Sequence, residues 1–95
     1  MDEHPGIGFV DGPAGRRAVL IGCGLDVWEV VEIVRANRGS AAATARYLDA
    51  PEARVREAIR YYAAFPEEID EWLARQEAAA AREEAAARRE RAILR

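Results

Sequence analysis

The sequence predicts a mainly α fold: an N-terminal β-hairpin, a three-helix helix-turn-helix domain and a long C-terminal helix. Three observations predict it. Two short apolar runs flank a cluster of turn formers near the start, and apolar residues recur at helical spacing through the middle. After Phe65-Pro66 nothing interrupts the pattern as far as Arg95. The chain divides accordingly into a hairpin segment (1–24), a helix-turn-helix domain (25–65) and a helical arm (66–95).

The apolar runs are residues 6–10 (Gly-Ile-Gly-Phe-Val) and 16–21 (Arg-Arg-Ala-Val-Leu-Ile), with Asp11-Gly12-Pro13-Ala14-Gly15 as the turn between them. A lone two-stranded hairpin is marginal in water. It must pack on the helices or pair with a second copy across a dimer interface.

After Gly22-Cys23-Gly24, Asp26 is the N-cap of a first helix from about Val27. Glu29 completes a capping box, and Leu25 with Val30 is placed as a hydrophobic staple. Val27, Val30, Val31 and Val34 make its apolar face, Arg35 and Arg38 fall in its last turn, and Gly39 follows as C′. Ser40 caps a short second helix, Ala41 to Leu48. A third begins with Pro51 in its first turn and buries Val55, Ala58, Ile59 and Tyr62.

The fourth helix has Glu67, Glu68, Asp70 and Glu71 at its start and Arg88, Arg89, Arg91 and Arg95 at its end, matching the macrodipole. Glu71/Arg75 and Glu84/Arg88 add i,i+4 pairs. Ile69, Trp72 and Leu73 can anchor the arm. Beyond Gln76 it has almost nothing large and apolar before Ile93 and Leu94.

Composition narrows the function classes. All 14 basic residues are arginine, a bias of coding sequence before it is one of function. One cysteine, Cys23, allows no intrachain disulfide and no cysteine-based zinc site, which fits a reducing cytoplasm. The start lacks a basic-then-apolar leader, and no run approaches the roughly 18 apolar residues of a spanning helix, so a cytoplasmic protein without membrane contact is expected. The net charge of −3 argues against a general nucleic-acid condenser. Its distribution is uneven: residues 16–60 hold eight arginines against six acids, and residues 66–95 six against eight.

Residues 40–62 fit the helix-turn-helix template, with small Ala45 at the helix crossing and Asp49 where the template usually has glycine. In its DNA-binding use the second helix enters the major groove, which turns Glu52, Ala53, Arg56, Glu57 and Arg60 toward base edges or phosphates. Arg56 is best placed for a bidentate guanine contact, and Arg46 and Arg54 for the DNA backbone. So few arginines give weak electrostatics, so useful affinity calls for a homodimer.

The segments Gly-Leu-Asp-Val-Trp-Glu-Val-Val (24–31), Ala-Thr-Ala-Arg-Tyr-Leu (43–48) and Val-Arg-Glu-Ala-Ile-Arg-Tyr-Tyr (55–62), followed by Pro-Glu-Glu-Ile-Asp (66–70), resemble the bacterial domain-of-unknown-function family 433. With the hairpin that opens on His4-Pro5-Gly6, the likeness covers about residues 4–73. The sequence departs from that family's commoner Gly-x-Pro strand opening, since Gly12-Pro13 falls in the turn. The resemblance implies an antitoxin of a type II toxin–antitoxin pair, a small autorepressor of operator DNA whose arm covers a PIN-like ribonuclease toxin.

Such a nuclease binds metal through clustered carboxylates, so a docked helix that delivers an arginine would block metal and RNA together. The residues placed for this are Arg88, Arg89, Arg91 and Arg95, with Ile93 and Leu94 as apolar anchors. The alternatives for the arm are a solvated alanine-rich helix, or a coiled coil weakened by Glu83 in its seam. No enzyme is expected, nor any cofactor or metal: His4 and Cys23 lack an orienting third group, and Gly6-Ile7-Gly8 and Gly22-Cys23-Gly24 lack the rest of a phosphate-binding loop. The competing function is a dimeric protein-interaction adaptor that never meets DNA.

Overall fold

A computed structural model describes residues 3–94. Pro13 and Ala14 form a two-residue turn between β1 (Ile7–Gly12) and β2 (Gly15–Leu20), shorter than the five-residue turn expected. Asp11 and Gly12 continue the ladder rather than leave it. Asp11 lies opposite Arg16 and Gly12 opposite Gly15, whose φ of +119° suits a residue without Cβ. A third strand, β3 (Leu25–Asp26), pairs antiparallel with β2, so the hairpin is part of a three-stranded sheet in the order β1-β2-β3.

Helix α1 (Val27–Ala36) starts where its cap places it, with the Glu29 carboxylate accepting from the Asp26 N–H at 3.0 Å. It ends earlier than expected. Arg38 lies beyond the last turn with φ of +57°, because the chain turns left-handed through Arg38 and Gly39 and closes on Val34 O through the Gly39 N–H. Ser40 Oγ accepts from Ala43 N at 3.0 Å and caps α2 (Ala41–Leu48). Asp49 then takes the left-handed conformation, φ 54° and ψ 48°, that glycine adopts more readily. Pro51 is the N-cap of α3 (Glu52–Ala64), and Pro66 opens α4 (Pro66–Ile93).

One core joins all of these elements. Ile7, Ala18 and Leu20 come from the sheet, Val27, Val30 and Val31 from α1, Ala45 from α2, Val55, Ala58 and Tyr61 from α3, and Ile69 from α4. Each large aliphatic among them contributes about 1.5–3 kcal/mol by leaving water. Thr44, fully buried, is satisfied by donating to Ser40 O at 2.8 Å.

On α3 the buried tyrosine is Tyr61 and not Tyr62. Phe65 and the inner face of β1 close over Tyr61, while Tyr62 moves to the rim, where it donates to Asp70 and accepts from Arg35, both at 2.8 Å. Ile59 is only partly buried. Ile69, Trp72 and Leu73 seat the base of α4 as expected. Arg75 adds a hydrogen bond to Ala14 O at 2.8 Å and stacks over Trp72.

The 28 residues of α4 span about 42 Å, and the molecule measures 57 × 30 × 22 Å. Among the described residues no helix is long and apolar enough to cross a membrane.

Candidate partner-binding surfaces

The residues placed at a DNA surface divide into two groups. Arg54 and Glu57 face the sheet. Arg54 Nη2 donates to Ile21 O at 2.7 Å and to Gly6 O at 3.1 Å, and its Nε lies 2.9 Å from Glu57 Oε1. That last contact is an ion pair without the alignment of a hydrogen bond. A side chain at Gly6 would overlap the Glu57 carboxylate, so glycine is what lets this clamp close over the start of β1. The clamp joins α3 to the loop after β2 and the segment before β1.

Glu52, Ala53, Arg56 and Arg60 lie on the exposed face of α3, and Arg46 is exposed on α2. Arg56 pairs with Glu52 at 2.8 Å, an exposed i,i+4 contact whose strength is about 0.3–0.5 kcal/mol and readily exchanged. Arg56 and Arg60 border a shallow cleft of about 320 Å³ whose floor includes Val34, Gly39 and Ile59. Tyr47, 74 % exposed, stands beside Arg46 on α2; its isolation from the core stripe is the signal that marks it, and sequence reading passed over it.

The second surface is the arm. Arg88 makes a loose contact with Glu84 at 3.4 Å, and Arg89 and Arg91 are exposed. Ile93 and Leu94 are 80 % and 66 % exposed. Arg95 lies outside the described residues. The arm therefore presents cations and an apolar tip well away from the core.

A third feature had no signal in the sequence. His4, Phe9, Tyr61 and Phe65 gather their rings around a cavity of about 360 Å³, also lined by Glu3, Ile7, Arg16 and Glu68. Arg16 stacks 3.7 Å over the Phe9 ring. Burial first, and then the Glu68 carboxylate that accepts its hydrogen bond, hold the Tyr61 hydroxyl far above the usual phenol range. The hydroxyl therefore keeps its proton and its hydrogen bond to Glu68, and Tyr61 serves as a strut between α3 and α4. The His4 ring lies edge-on to Tyr61 and Phe65, and Cys23 packs partly buried against the core. Among the described residues no cluster of three or more His, Cys, Asp or Glu side chains is placed to hold a metal ion.

Comparison with protein-family models, with curated proteins and with solved structures finds no match to this chain in any of the three.

Proposed function

We propose that this chain is an antitoxin of the kind implied by its resemblance to the family-433 segments: a binder of a PIN-like ribonuclease toxin through α4 and of operator DNA through α2 and α3. The observation that carries the reading is the arm. A helix whose last two turns hold Arg88, Arg89 and Arg91 beside the exposed pair Ile93 and Leu94 contributes nothing to its own core, and suits the groove of an acidic partner. An arginine docked among metal-binding carboxylates forms charge-assisted, bidentate pairs and displaces the cation they hold.

In the same reading α2 and α3 act as a helix-turn-helix, with Arg56 and Arg60 toward the major groove and Arg46 on the backbone. Arg54 and Glu57 support this surface from behind rather than contact DNA.

The adaptor reading has one observation in its favour. With Arg54 clamped to the sheet and Arg56 paired to Glu52, few cations on this face are left for phosphate.

The deciding experiment is co-expression of the full chain with the product of the adjacent reading frame. Co-purification that is lost on deletion of residues 77–95 supports the antitoxin reading. Failure of the full chain to bind its neighbour removes it, and salt-dependent operator binding by the purified protein then separates an autonomous regulator from an adaptor.

A further inference from the structure

β1 lies at the edge of the sheet, and the parity of its hydrogen bonds is readable. Ile21 N donates to Gly6 O at 3.0 Å, and the register continues through Gly8↔Val19, Val10↔Arg17 and Gly12↔Gly15. Residues 6, 8, 10 and 12 therefore turn their backbone groups toward β2, and Ile7, Phe9 and Asp11 turn theirs outward. The Ile7 N–H is taken by His4 O at 3.0 Å. Left on the edge are Ile7 C=O and both groups of Phe9 and Asp11. The strand has none of the usual edge protection: no proline, no lysine or arginine, and one charge, at Asp11 near its end.

The side chains around this edge are complementary to themselves. Val10 and Ile21 are 41 % and 51 % exposed on the face turned away from the helices, while Gly8 between them has no side chain and lies against Ile21. Phe9 is 45 % exposed on the other face.

We infer that β1 pairs antiparallel with β1 of a second copy about a two-fold axis through Phe9, making one continuous six-stranded sheet. That register sets Phe9 opposite Phe9 and Ile7 opposite Asp11, and forms four main-chain hydrogen bonds: two between the Phe9 residues, and one from each Asp11 N–H to the other copy's Ile7 C=O. It also sets each Val10 opposite the other copy's Gly8, a close pair without hydrogen bonds in which the missing side chain of one residue receives the valine of the other, against Ile21. A one-residue slip turns the outward groups away from each other. A two-residue slip moves the axis to Gly8, where the taken Ile7 N–H leaves two hydrogen bonds, or to Val10, where four remain but Gly8 meets Gly12 and the fit of Val10 to Gly8 is lost.

This gives the dimer of the proposed function its interface, and it is tested on the purified chain alone, so toxin and operator do not enter. In a Cys23→Ser background, Phe9→Cys is expected to cross-link to a covalent dimer on mild oxidation, since directly opposed residues bring Cα atoms to about 5.5 Å. Asp11→Cys is expected not to, since its two copies lie four residues out of register, about 13 Å apart. Light scattering on the unmodified chain should give a dimer, and Asp11→Pro, which removes an outward N–H and no β1–β2 bond, a monomer with unchanged circular dichroism. If Asp11→Pro fails to fold, the cysteine pair still decides. A monomeric parent chain leaves the edge to a strand from some other partner and overturns the inference, as does a dimer that cross-links at position 11 and not at 9.

Discussion

The Tyr61 hydroxyl donates to the Glu68 carboxylate, 2.8 Å from one oxygen and 3.0 Å from the other, and ties α3 to α4 across the Phe65-Pro66 corner. The ring above it is covered by His4, Phe9 and Phe65, so this hydrogen bond stands at the meeting of sheet, third helix and arm.

That contact makes stability depend on alkaline pH. Burial and the adjacent carboxylate raise the Tyr61 pKa in the folded state, so the native protein keeps a proton that the unfolded chain releases near pH 10. The stabilisation is complete below about pH 10 and is lost as pH rises toward the folded-state value. Thermal melts are expected to show the midpoint of the parent chain falling above pH 10, and a shallower fall for Tyr61→Phe. At neutral pH the same variant should cost about 1–2 kcal/mol, since Glu68 loses a partner. Parallel midpoints for both chains from pH 9 to 11 would remove Tyr61 as the cause.

Arg54 is the second test, because its position on α3 suggests one role and its contacts another. Replacing it with alanine leaves two backbone carbonyls and Glu57 without their cation, at a cost of about 2 kcal/mol. For a domain of this size that lowers the thermal midpoint by roughly 10 °C. Arg60→Ala should leave the midpoint within about 2 °C, because surface changes of this kind stay near ±0.5 kcal/mol. Urea denaturation of the two variants checks the contrast. Equal stability for both would place Arg54 outside the fold's support and return it to the partner surface.

How much of this was readable in advance depends on whether the signal was local. Asp26 with Glu29, Ser40, Pro51 and Pro66 each mark a helix start by chemistry contained within a few residues, and the helices begin at or next to those positions. The hairpin was readable, but its turn was not. Asp11 is polar and adjoins Gly12, so it reads as loop, whereas in the sheet it is an edge residue across from Arg16. Tyr62 fits the 55-58-59-62 stripe that a single helix presents, and the choice of Tyr61 is made by β1 and Phe65 closing from another side. The Arg54 clamp was least legible of all. Its acceptors are main-chain carbonyls 48 and 33 residues away, and a backbone carbonyl has no sequence signature.

Asp49 supplies a prediction about the turn between α2 and α3. A side chain at φ 54° is strained, and aspartate tolerates that region better than most residues. Asp49→Gly should raise stability by about 0.5 kcal/mol, the relief of strain being partly offset by the greater freedom of glycine in the unfolded chain. Asp49→Val should lower it by about 1–2 kcal/mol, since a β-branched residue fits that conformation worst. Denaturation midpoints in urea that rank glycine, aspartate and valine in any other order would show that the turn relaxes when its side chain changes.

The arm supplies the last prediction. Its anchoring side chains, Ile69, Trp72, Leu73 and Arg75, all precede residue 77, and the exposed pair Ile93 and Leu94 stands at the far end of a largely exposed helix. Deletion of residues 77–95 therefore removes helix but little core. The thermal midpoint should move by less than about 3 °C, a shift that corresponds to well under 1 kcal/mol. The helical circular dichroism signal per molecule should drop by more than a quarter, because residues 77–93 make up that share of the helical residues. A milder change, Leu73→Ala at the base of the arm, should cost about 2 kcal/mol by opening a cavity beside Trp28. If the deletion lowered the midpoint as much as Leu73→Ala does, the distal arm would be packing on something, and the second copy of the chain would be the first place to look.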